Sequence, residues 1–538
     1  MAADKITIEH NEASDGGNPH RKDPTTIAAN AQLATEIEHT MSFWKAIRIY
    51  KKSVFWSFIF SLAIIMDGYD TALLGSLMAY PSFQSRFGKP VGSGYQLEAA
   101  WQVALTLSNP IGNIFGIFIN SFITEKFGHK RSLQGTLVFL TGAIFIPFFA
   151  QSIEVFFVGE LLCGLCWGVF TTMAPAYASE VCPVILRSYL ETMVVLCWGI
   201  GQFVSYGVLA GLSGRKHDPW GWRIPLAVQW VWIVIIFPVV IFAPESPWWY
   251  VRKGRIEDAE HTTMRLSDMN YVQAKQSVDL MIQTNHLEKS IAEGTGVLDC
   301  FRGTNLWRTE IACVTWTLQQ WTGFVITGYA TYFYEQAGLV ATQAFHMSVG
   351  QGGLHFICTL CAFPLTGRVG RRPLLLWGMV GMGIMMFIIG FISLAPYTSA
   401  QGYAESAIYL LWFTIMELSI GPGAYIVVGE VSTTRLRSQT IGLARNACNV
   451  INILNSVVGP YILNPTEGNW KGKCGFLTGG LIVFCFVWVF FRLPEMRGRT
   501  YEELDILFSM KIGARDFKNQ PVDLSSHRNA PKANLDAE

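Results

Sequence analysis

Long apolar stretches, separated by short polar segments, recur along most of this 538-residue chain. The stretch from Val54 to Tyr80 is apolar except for Asp67 and Asp70, and it exceeds the roughly 20 residues that a membrane-spanning helix needs. Similar stretches follow it, so the pattern predicts twelve transmembrane helices. The others lie near residues 98–124, 132–150, 154–180, 190–212, 224–243, 310–336, 343–367, 373–395, 405–430, 438–464 and 474–492.

Charged residues at the ends of these stretches repeat at a fixed distance of 250 positions, which indicates an internal duplication. The repeated features are Glu180 with Glu430, Arg187 with Arg437, and Pro244-Glu245 with Pro494-Glu495. Two similar halves of six spans each are typical of a secondary transporter whose halves rock around a central site. We therefore expect the functional site to lie between the halves.

Composition supports a bilayer protein, because 51% of the residues are hydrophobic and only 15% are charged. A net charge of +1 argues against a nucleic-acid partner, which would need a basic surface. Lysines and arginines are concentrated in the loops that follow even-numbered spans, so both termini are predicted to lie in the cytosol. The chain lacks a P-loop, a nucleophile elbow and metal-spaced His or Cys residues, so we expect no enzyme, metal site or cofactor.

The same patterns divide the chain into five segments. Polar composition predicts disordered cytosolic tails at both ends, and charges at helical spacing predict short amphipathic helices between the halves. One more short cytosolic helix is expected after the last span. The segments are the N-terminal tail (1–50), the N-terminal half (51–244), the cytosolic linker (245–308), the C-terminal half (309–492) and the C-terminal tail (493–538).

Several short motifs lie at the ends of the predicted spans. They are PESPWWY from Pro244, GRVGRRP from Gly367, PEMRGRT from Pro494, and YASE from Tyr177 followed by Arg187. In this order they resemble the sugar porter branch of the major facilitator superfamily over roughly residues 50–510. The resemblance implies an all-α integral membrane fold with twelve transmembrane helices in two six-helix halves.

Two further segments, residues 67–76 (DGYDTALLGS) and 173–182 (MAPAYASEVC), look most like fungal maltose and α-glucoside:proton symporters. This resemblance implies import of an α-glucoside such as maltose, with protons, across the plasma membrane by alternating access. The alternatives are an uncoupled or proton-coupled transporter of another sugar (a hexose, sucrose, trehalose or a β-linked disaccharide) and a sugar-sensing receptor on the same scaffold.

The chain departs from the sugar porter pattern at several positions. Glu160 stands where the family usually has arginine in the fourth span, and Val325 replaces the asparagine of the family's QQxxGxN motif. Tyr425 replaces the tryptophan of GPxxW, and Gly367 stands where the family often has aspartate. Hexose contacts therefore cannot be transferred wholesale to this chain.

Acidic residues inside the apolar spans are the candidates for proton coupling. A carboxylate at membrane depth costs roughly 3 kcal/mol on insertion scales, so Asp67 and Asp70, one helical turn apart, are expected to bind protons. The resemblance points to Asp70 in particular; the alternative is that both acids are solvated at the extracellular mouth. Glu160 and Arg445 complete the set. Arg445 is expected to balance Glu160 or to pair with an aspartate of the first span, unless it snorkels to the cytosolic interface.

Sugar recognition requires amide and hydroxyl groups around the hydroxyls and an aromatic face against the ring. The resemblance implies that Gln202, Gln319 and Gln320 contact the sugar. Asparagines at every third position of the eleventh span form a polar stripe that either binds sugar or joins helices. The remaining candidates are Asn446 and Asn449 of that stripe, followed by Asn452 and Asn455, and the rings of Trp321, Tyr329, Trp412 and Tyr425, which either stack on sugar or pack between helices.

Charged residues at the cytosolic span ends are candidates for gating. Their placement predicts ion pairs that hold the halves together while the site faces outward and that break on inward opening. The alternative is that they only set the topology of the chain. The candidates are Glu125, Arg131, Glu180, Arg187, Arg371, Glu430 and Arg437.

Overall fold

Most of the chain between the two predicted tails is described by a computed structural model. The described residues are 43–91, 94–212, 218–292, 297–326, 329–395, 398–433, 436–465, 467–497, 501–510, 512–517 and 520. Most of both predicted tails lies outside these ranges.

The N-terminal half is built from six long helices, as expected for apolar segments that must satisfy all their backbone hydrogen bonds internally in a bilayer. A short helix precedes them, and a short helix and a two-stranded antiparallel hairpin follow the first of them. The elements are α1 (Phe43–Ile49), α2 (Lys51–Leu77), α3 (Pro81–Phe87), β1 (Lys89–Val91), β2 (Gly94–Gln96), α4 (Ala99–Phe127), α5 (His129–Phe148), α6 (Ile153–Val181), α7 (Val184–Leu212) and α8 (Trp220–Ile241).

Among the described residues, three helices and a 3-10 turn connect the halves, and the helices of the C-terminal half follow. The connecting elements are α9 (Pro247–Arg252), α10 (Ile256–Leu266), α11 (Tyr271–Ala292) and a 3-10 turn (Val297–Phe301). The C-terminal half comprises α12 (Gly303–Trp321), α13 (Ala330–Gln336), α14 (Ala341–Arg368), α15 (Arg371–Ile392), α16 (Ser399–Val431), α17 (Arg437–Leu463), a 3-10 turn (Lys471–Lys473) and α18 (Cys474–Arg492), followed by α19 (Tyr501–Ser509).

Nine helices of the described residues are long and apolar enough to cross a membrane. They coincide with predicted spans one to six, nine, ten and twelve. The helices at spans seven, eight and eleven, which are α12, α14 and α17, are long but more polar. These three helices carry many of the polar residues that the sequence assigns to the site.

The seventh predicted span, 310–336, is wrong as one continuous helix. α12 ends at Trp321 and α13 begins at Ala330. Val325, between them, has a φ of 73°, which costs a β-branched residue about 1–3 kcal/mol. Neighbouring helices hold this conformation, because Asn455 Oδ1 accepts the Val325 N–H at 2.6 Å and Thr478 Oγ1 donates to the Phe324 carbonyl at 2.8 Å.

Glycines bring α4 and α6 into backbone contact. A Cβ at Gly116 would overlap the carbonyl oxygen of Leu165, and a Cβ at Gly168 would overlap that of Asn113. Small residues at such positions are the usual means of close helix packing in membranes. The contact fixes the position of α6, which carries Glu160, against α2 and α4.

The two halves meet at their predicted extracellular ends. Ser76 and Thr331 hydroxyls lie 3.0 Å apart, and the Gln96 side chain donates to the Tyr332 hydroxyl at 3.1 Å. Asn464 of α17 also reaches across, donating to a backbone carbonyl at 3.2 Å. Polar contacts thus join the two halves at this end of the bundle in this structure.

The linker is attached to the N-terminal half by polar contacts. The Asp268 carboxylate lies 2.6 Å from Lys51 Nζ and 3.0 Å from Lys52 Nζ, and these ammonium groups lower the pKa of Asp268. The Ser53 hydroxyl donates to the Leu266 carbonyl at 3.0 Å. The start of the first span and the end of α10 are thereby held together.

Candidate functional site

Asp70 lies inside the helix bundle of the N-terminal half, only 1% exposed. Trp167 Nε1 donates to Oδ2 at 2.8 Å and Gln229 Nε2 donates to Oδ1 at 2.9 Å. The Asn109 amide of α4 also lies near the carboxyl, although its Nδ2 makes no hydrogen bond of normal geometry among the described residues. Neutral groups from three different helices therefore surround a carboxyl that the first span carries at membrane depth.

Glu160 of α6 is also 1% exposed and interacts electrostatically with Asp70. Its Oε2 has no hydrogen-bond partner among the described residues. Two buried carboxylates side by side are costly when both are charged, because each lacks the hydration that stabilises it in water. The arrangement thus favours the retention of a proton between Asp70 and Glu160.

Asp67 is 6% exposed and lies toward the opposite half. The Trp198 side chain of α7 lies beside it, and the positive charge of Arg445 acts on it from α17. Arg445 itself lies near Tyr425 and 5.6 Å from the ring centroid of Trp316. Arg445 is thus close enough to act electrostatically on Asp67 across the boundary between the halves, without a direct ion pair within 4 Å among the described residues.

The three glutamines have different surroundings. Gln319 Nε2 donates to the Gly421 carbonyl at 3.1 Å, whereas Gln320 lies near Cys448 and leaves its Oε1 buried without a partner among the described residues. Gln202 lies one helical turn after Trp198 on α7, and is half-buried. The three glutamines are thus distributed over both halves.

The asparagine stripe of α17 divides between faces. Asn449 lies four residues after Arg445 and shares its face, but Asn446 is rotated from that face by about 100°. Asn455 accepts the Val325 N–H and so stabilises the break between α12 and α13. The stripe therefore has at least two roles, one toward Arg445 and one toward the seventh span.

The predicted aromatic contacts also differ in exposure. Tyr329 is 2% exposed, and its hydroxyl donates to the Ser456 carbonyl at 3.2 Å. Tyr425 is 46% exposed and contacts Trp316 edge to face, and Trp321 stacks on Phe324. Of the aromatic candidates just described, Tyr425 has the most accessible ring.

The cytosolic ion pairs lie within each half. In the N-terminal half, Glu180 is bound by Arg252 at 2.7 Å, by His129 at 3.0 Å, and by the Ser246 hydroxyl. In the C-terminal half, Glu430 is bound by Arg371 at 2.7 Å. Glu125 contributes its backbone carbonyl to Trp249 and Arg131 is exposed. The side chains of Arg187 and Arg437 lie outside the described residues, so ties between the halves stay a prediction for an outward-facing state.

A matching contact, which we call the glutamate clasp, occurs at each of these ends. Glu245 accepts the backbone N–H groups of His129, Lys130 and Ser246 at 2.8–3.1 Å. Burial raises the pKa of Glu245, against the effect of these donors. Glu495 accepts the N–H groups of Arg371, Arg372 and Arg497 at 3.0–3.1 Å in the same way.

Sequence reasoning missed the partners of the acids and one buried histidine. Trp167 and Gln229 each lie within an apolar run and carry a polar group at the end of the side chain. Trp167 lies seven residues after Glu160, on the same face of α6. That spacing was a usable signal for Trp167. His355 of α14, 3% exposed, lies with Nδ1 3.2 Å from Oε1 of Glu417, and no sequence spacing connects these two.

Comparison with known proteins agrees with this architecture. A family model described as "Sugar (and other) transporter" matches residues 56–508. The chain is 35% identical over 517 residues to the general alpha-glucoside permease of Saccharomyces cerevisiae, covering 95% of this chain and 84% of that one. It is also 35% identical over 502 residues to the maltose permease MAL31 of the same species, covering 92% and 82%.

Solved structures show the same fold. The xylose transporter XylE from E. coli, in a partially occluded inward open conformation, matches with a TM-score of 0.68 at 21% identity, covering 83% of this chain and 99% of that one. The predictions of a major facilitator fold and of a transporter rather than an enzyme are confirmed, as is the resemblance to yeast α-glucoside and maltose permeases. This multi-pass membrane protein belongs to the sugar (and other) transporter family.

Proposed function

We propose that this protein imports a maltose-type α-glucoside across the plasma membrane together with protons. The 35% identity to α-glucoside and maltose permeases over more than nine tenths of the chain supports the substrate class. The observation that carries the proton coupling is the pair of buried acids, Asp70 and Glu160. A facilitator that only equilibrates sugar has no need of two costly carboxyls in its interior.

Proton binding takes place at Asp70, assisted by Glu160. When Asp70 is charged, the donors Trp167 and Gln229 stabilise the carboxylate, with the nearby amide of Asn109. When a proton arrives, the charge is neutralised and the cost of burying the pair falls. The site therefore has two states of comparable free energy, which a carrier requires if it is to load a proton on one side and release it on the other.

Asp67 and Arg445 connect this proton chemistry to movement of the halves. Protonation of Asp67 would remove its attraction for Arg445 and weaken a contact between α2 and α17. Arg445 would keep its interactions with Tyr425 and Trp316 within the C-terminal half. Proton binding thus changes the free energy of the contact between the halves, and this contact must form and break during alternating access.

The sugar binds between the halves, where both contribute amide groups. Gln202 comes from the N-terminal half, and Gln319 and Gln320 come from the C-terminal half. The unpartnered Oε1 of Gln320 can accept a sugar hydroxyl, and the exposed ring of Tyr425 can cover a ring face. A bound sugar then holds both halves at once, which couples its affinity to their orientation.

Uptake of labelled maltose by transporter-null yeast expressing this chain tests the proposal. We expect saturable accumulation above the external concentration, inhibited by other α-glucosides and abolished by a protonophore. Equilibration without accumulation would instead show a facilitator. Binding of maltose without any uptake would favour a sugar-sensing receptor, and preference for a hexose or a β-linked disaccharide would reassign the substrate.

A further inference from the structure

His355 is a buried titratable residue that the mechanism above does not use. It lies on α14, and its imidazole fits against α7 of the other half, where a Cβ at Gly199 would overlap the ring. Trp198 packs against the imidazole with ring centroids 6.0 Å apart. His355 therefore lies at a packed contact between the halves, separated from Asp67 by one tryptophan.

The only charged side chain that acts on His355 within the described part of the chain is Glu417 of α16. Nδ1 and Oε1 lie 3.2 Å apart, yet neither ring nitrogen has a hydrogen bond of normal geometry among the described residues. Asp67, on the far side of Trp198, is the nearest other acid, and the remaining titratable groups near this pair are uncharged at neutral pH. They are Cys358 on α14 itself, Tyr409 on α16, Tyr206 on α7, and Tyr334 on α13, which donates to Gln351 one turn before His355.

We propose that His355 and Glu417 bind a proton of their own, in the C-terminal half, and that this proton is needed to seat α14 against α7 when the extracellular side closes. The inference rests on the proposed proton-coupled import of sugar. It adds a second proton-binding site to the one at Asp70 and Glu160, on the opposite half of the protein.

The charge balance of the pair gives the physical reason. With one proton bound, the imidazolium and the carboxylate sum to zero, and the pair fits a closed apolar contact. Without it, a neutral imidazole and a carboxylate leave one net negative charge buried at the boundary, close to Asp67. An unpaired buried charge is strongly destabilising, so the deprotonated pair disfavours the closed contact. Histidine is suited to this task because its charge changes between about pH 5 and 8.

The test is the dependence of maltose uptake on external pH, at saturating maltose, in the wild type and in matched variants. In Glu417→Gln the pair is neutral even without a bound proton. Maltose uptake by this variant should therefore decline less toward alkaline pH than uptake by the wild type. His355→Asn leaves Glu417 to take up the proton alone, so its uptake at pH 7 should fall by about tenfold relative to pH 5. The double variant His355→Asn/Glu417→Gln should recover the uptake at pH 7.

Recovery in the double variant distinguishes a proton site from a packing contact, because each substitution alone disturbs the packing as well. His346→Asn, an exposed histidine on the same helix, is the matched control and should keep the wild-type profile. Superimposable normalised profiles for the wild type, Glu417→Gln and the double variant would overturn the inference. Failure of the double variant to recover uptake, at normal surface expression, would overturn it as well.

A second measurement separates failure of this inference from failure of the proposed function. If the wild type does not transport maltose, the sugar proposal fails, and the pair is judged by thermal unfolding of the purified protein. On raising the pH from 5.5 to 8, the wild type should lose several degrees more in Tm than Glu417→Gln. Equal losses in the two proteins would refute a proton on the pair whatever the substrate.

Discussion

The two halves carry the same contact at their cytosolic ends but different chemistry at membrane depth. Glu245 and Glu495 each accept three backbone N–H groups from a loop and the adjoining helix start, and they lie 250 positions apart in the sequence. Deeper in the membrane, the N-terminal half buries Asp70 and Glu160 among neutral donors. The C-terminal half instead presents a cation, Arg445, at the boundary.

The difference suggests a division of labour after duplication. The glutamate clasps, which join the helix ends, are made by backbone N–H groups and one carboxylate. They therefore remain the same in both copies. Residues that bind protons or sugar act through their side chains, and these can diverge in each copy without changing the fold. In our proposal, the N-terminal half is specialised for proton loading at Asp70, whereas the C-terminal half supplies sugar contacts, Arg445 and the second proton site at His355 and Glu417.

The largest expected effect comes from removing the charge in the N-terminal half. Asp70→Asn cannot bind and release a proton, so the accumulation ratio of labelled maltose should fall to about one, because a carrier without coupling only equilibrates its substrate. Exchange of internal for external maltose should persist. Glu467→Gln, an exposed acid in the loop after α17, is the control. Accumulation at the wild-type ratio in Asp70→Asn would mean that the proton binds elsewhere.

Removing the cation from the C-terminal half should have the next largest effect. Arg445→Leu removes the positive charge that acts on Asp67 across the boundary, and we expect about a tenfold loss of initial uptake rate, less than the loss of a buried ion pair implies because the Arg445 side chain is exposed. The double variant Asp67→Asn/Arg445→Leu should recover part of the loss. Normal proton-coupled uptake in Arg445→Leu would contradict the pairing.

Equal effects are expected where the halves are alike. Glu245→Gln and Glu495→Gln each weaken three charge-assisted hydrogen bonds, and each should destabilise the protein by about 1–3 kcal/mol. Thermal unfolding in detergent measures the loss, with exposed Glu257→Gln of the linker as the control. A large loss in only one of the two variants would show that the clasps are not equivalent.

The smallest effect concerns the break in the seventh span. Val325→Gly should be about 1 kcal/mol more stable than Val325→Ala, because both variants lose most of a fully buried side chain but only glycine adopts the positive φ without strain. Thermal unfolding compares the two variants. The same order for Val427→Gly and Val427→Ala, at a fully buried helical position with ordinary φ, would show that the effect is unrelated to φ.

The fold could be predicted from sequence because its determinants are local. Apolar runs of sufficient length define spans, and the charges at span ends reveal the duplication. Asp67, Asp70 and Glu160 are recognisable for the same reason, since an acid inside an apolar run has few structural explanations. The pairing of Arg445 stays a prediction, because sequence alone does not specify whether it balances Glu160, pairs with Asp67 or Asp70, or snorkels to the interface.

The remaining features depend on contacts between distant helices. The break after Trp321 lies within an apolar run that continues past it, and Asn455, which stabilises it, is more than a hundred residues away. His355 and Glu417 come from different helices with no common motif. Asn446 and Asn449 lie about 60° apart on α17, but only Asn449, four residues after Arg445, is close to the face of Arg445, from which Asn446 is rotated by about 100°.

The measurement that tests the account most directly is external alkalinisation on adding maltose to energised, transporter-null yeast that expresses this chain. The account predicts maltose-dependent proton uptake in the wild type and none in Asp70→Asn at equal surface expression. Maltose entry without proton movement in the wild type, or undiminished proton uptake in Asp70→Asn, would contradict the assignment of proton loading to the buried acids of the N-terminal half.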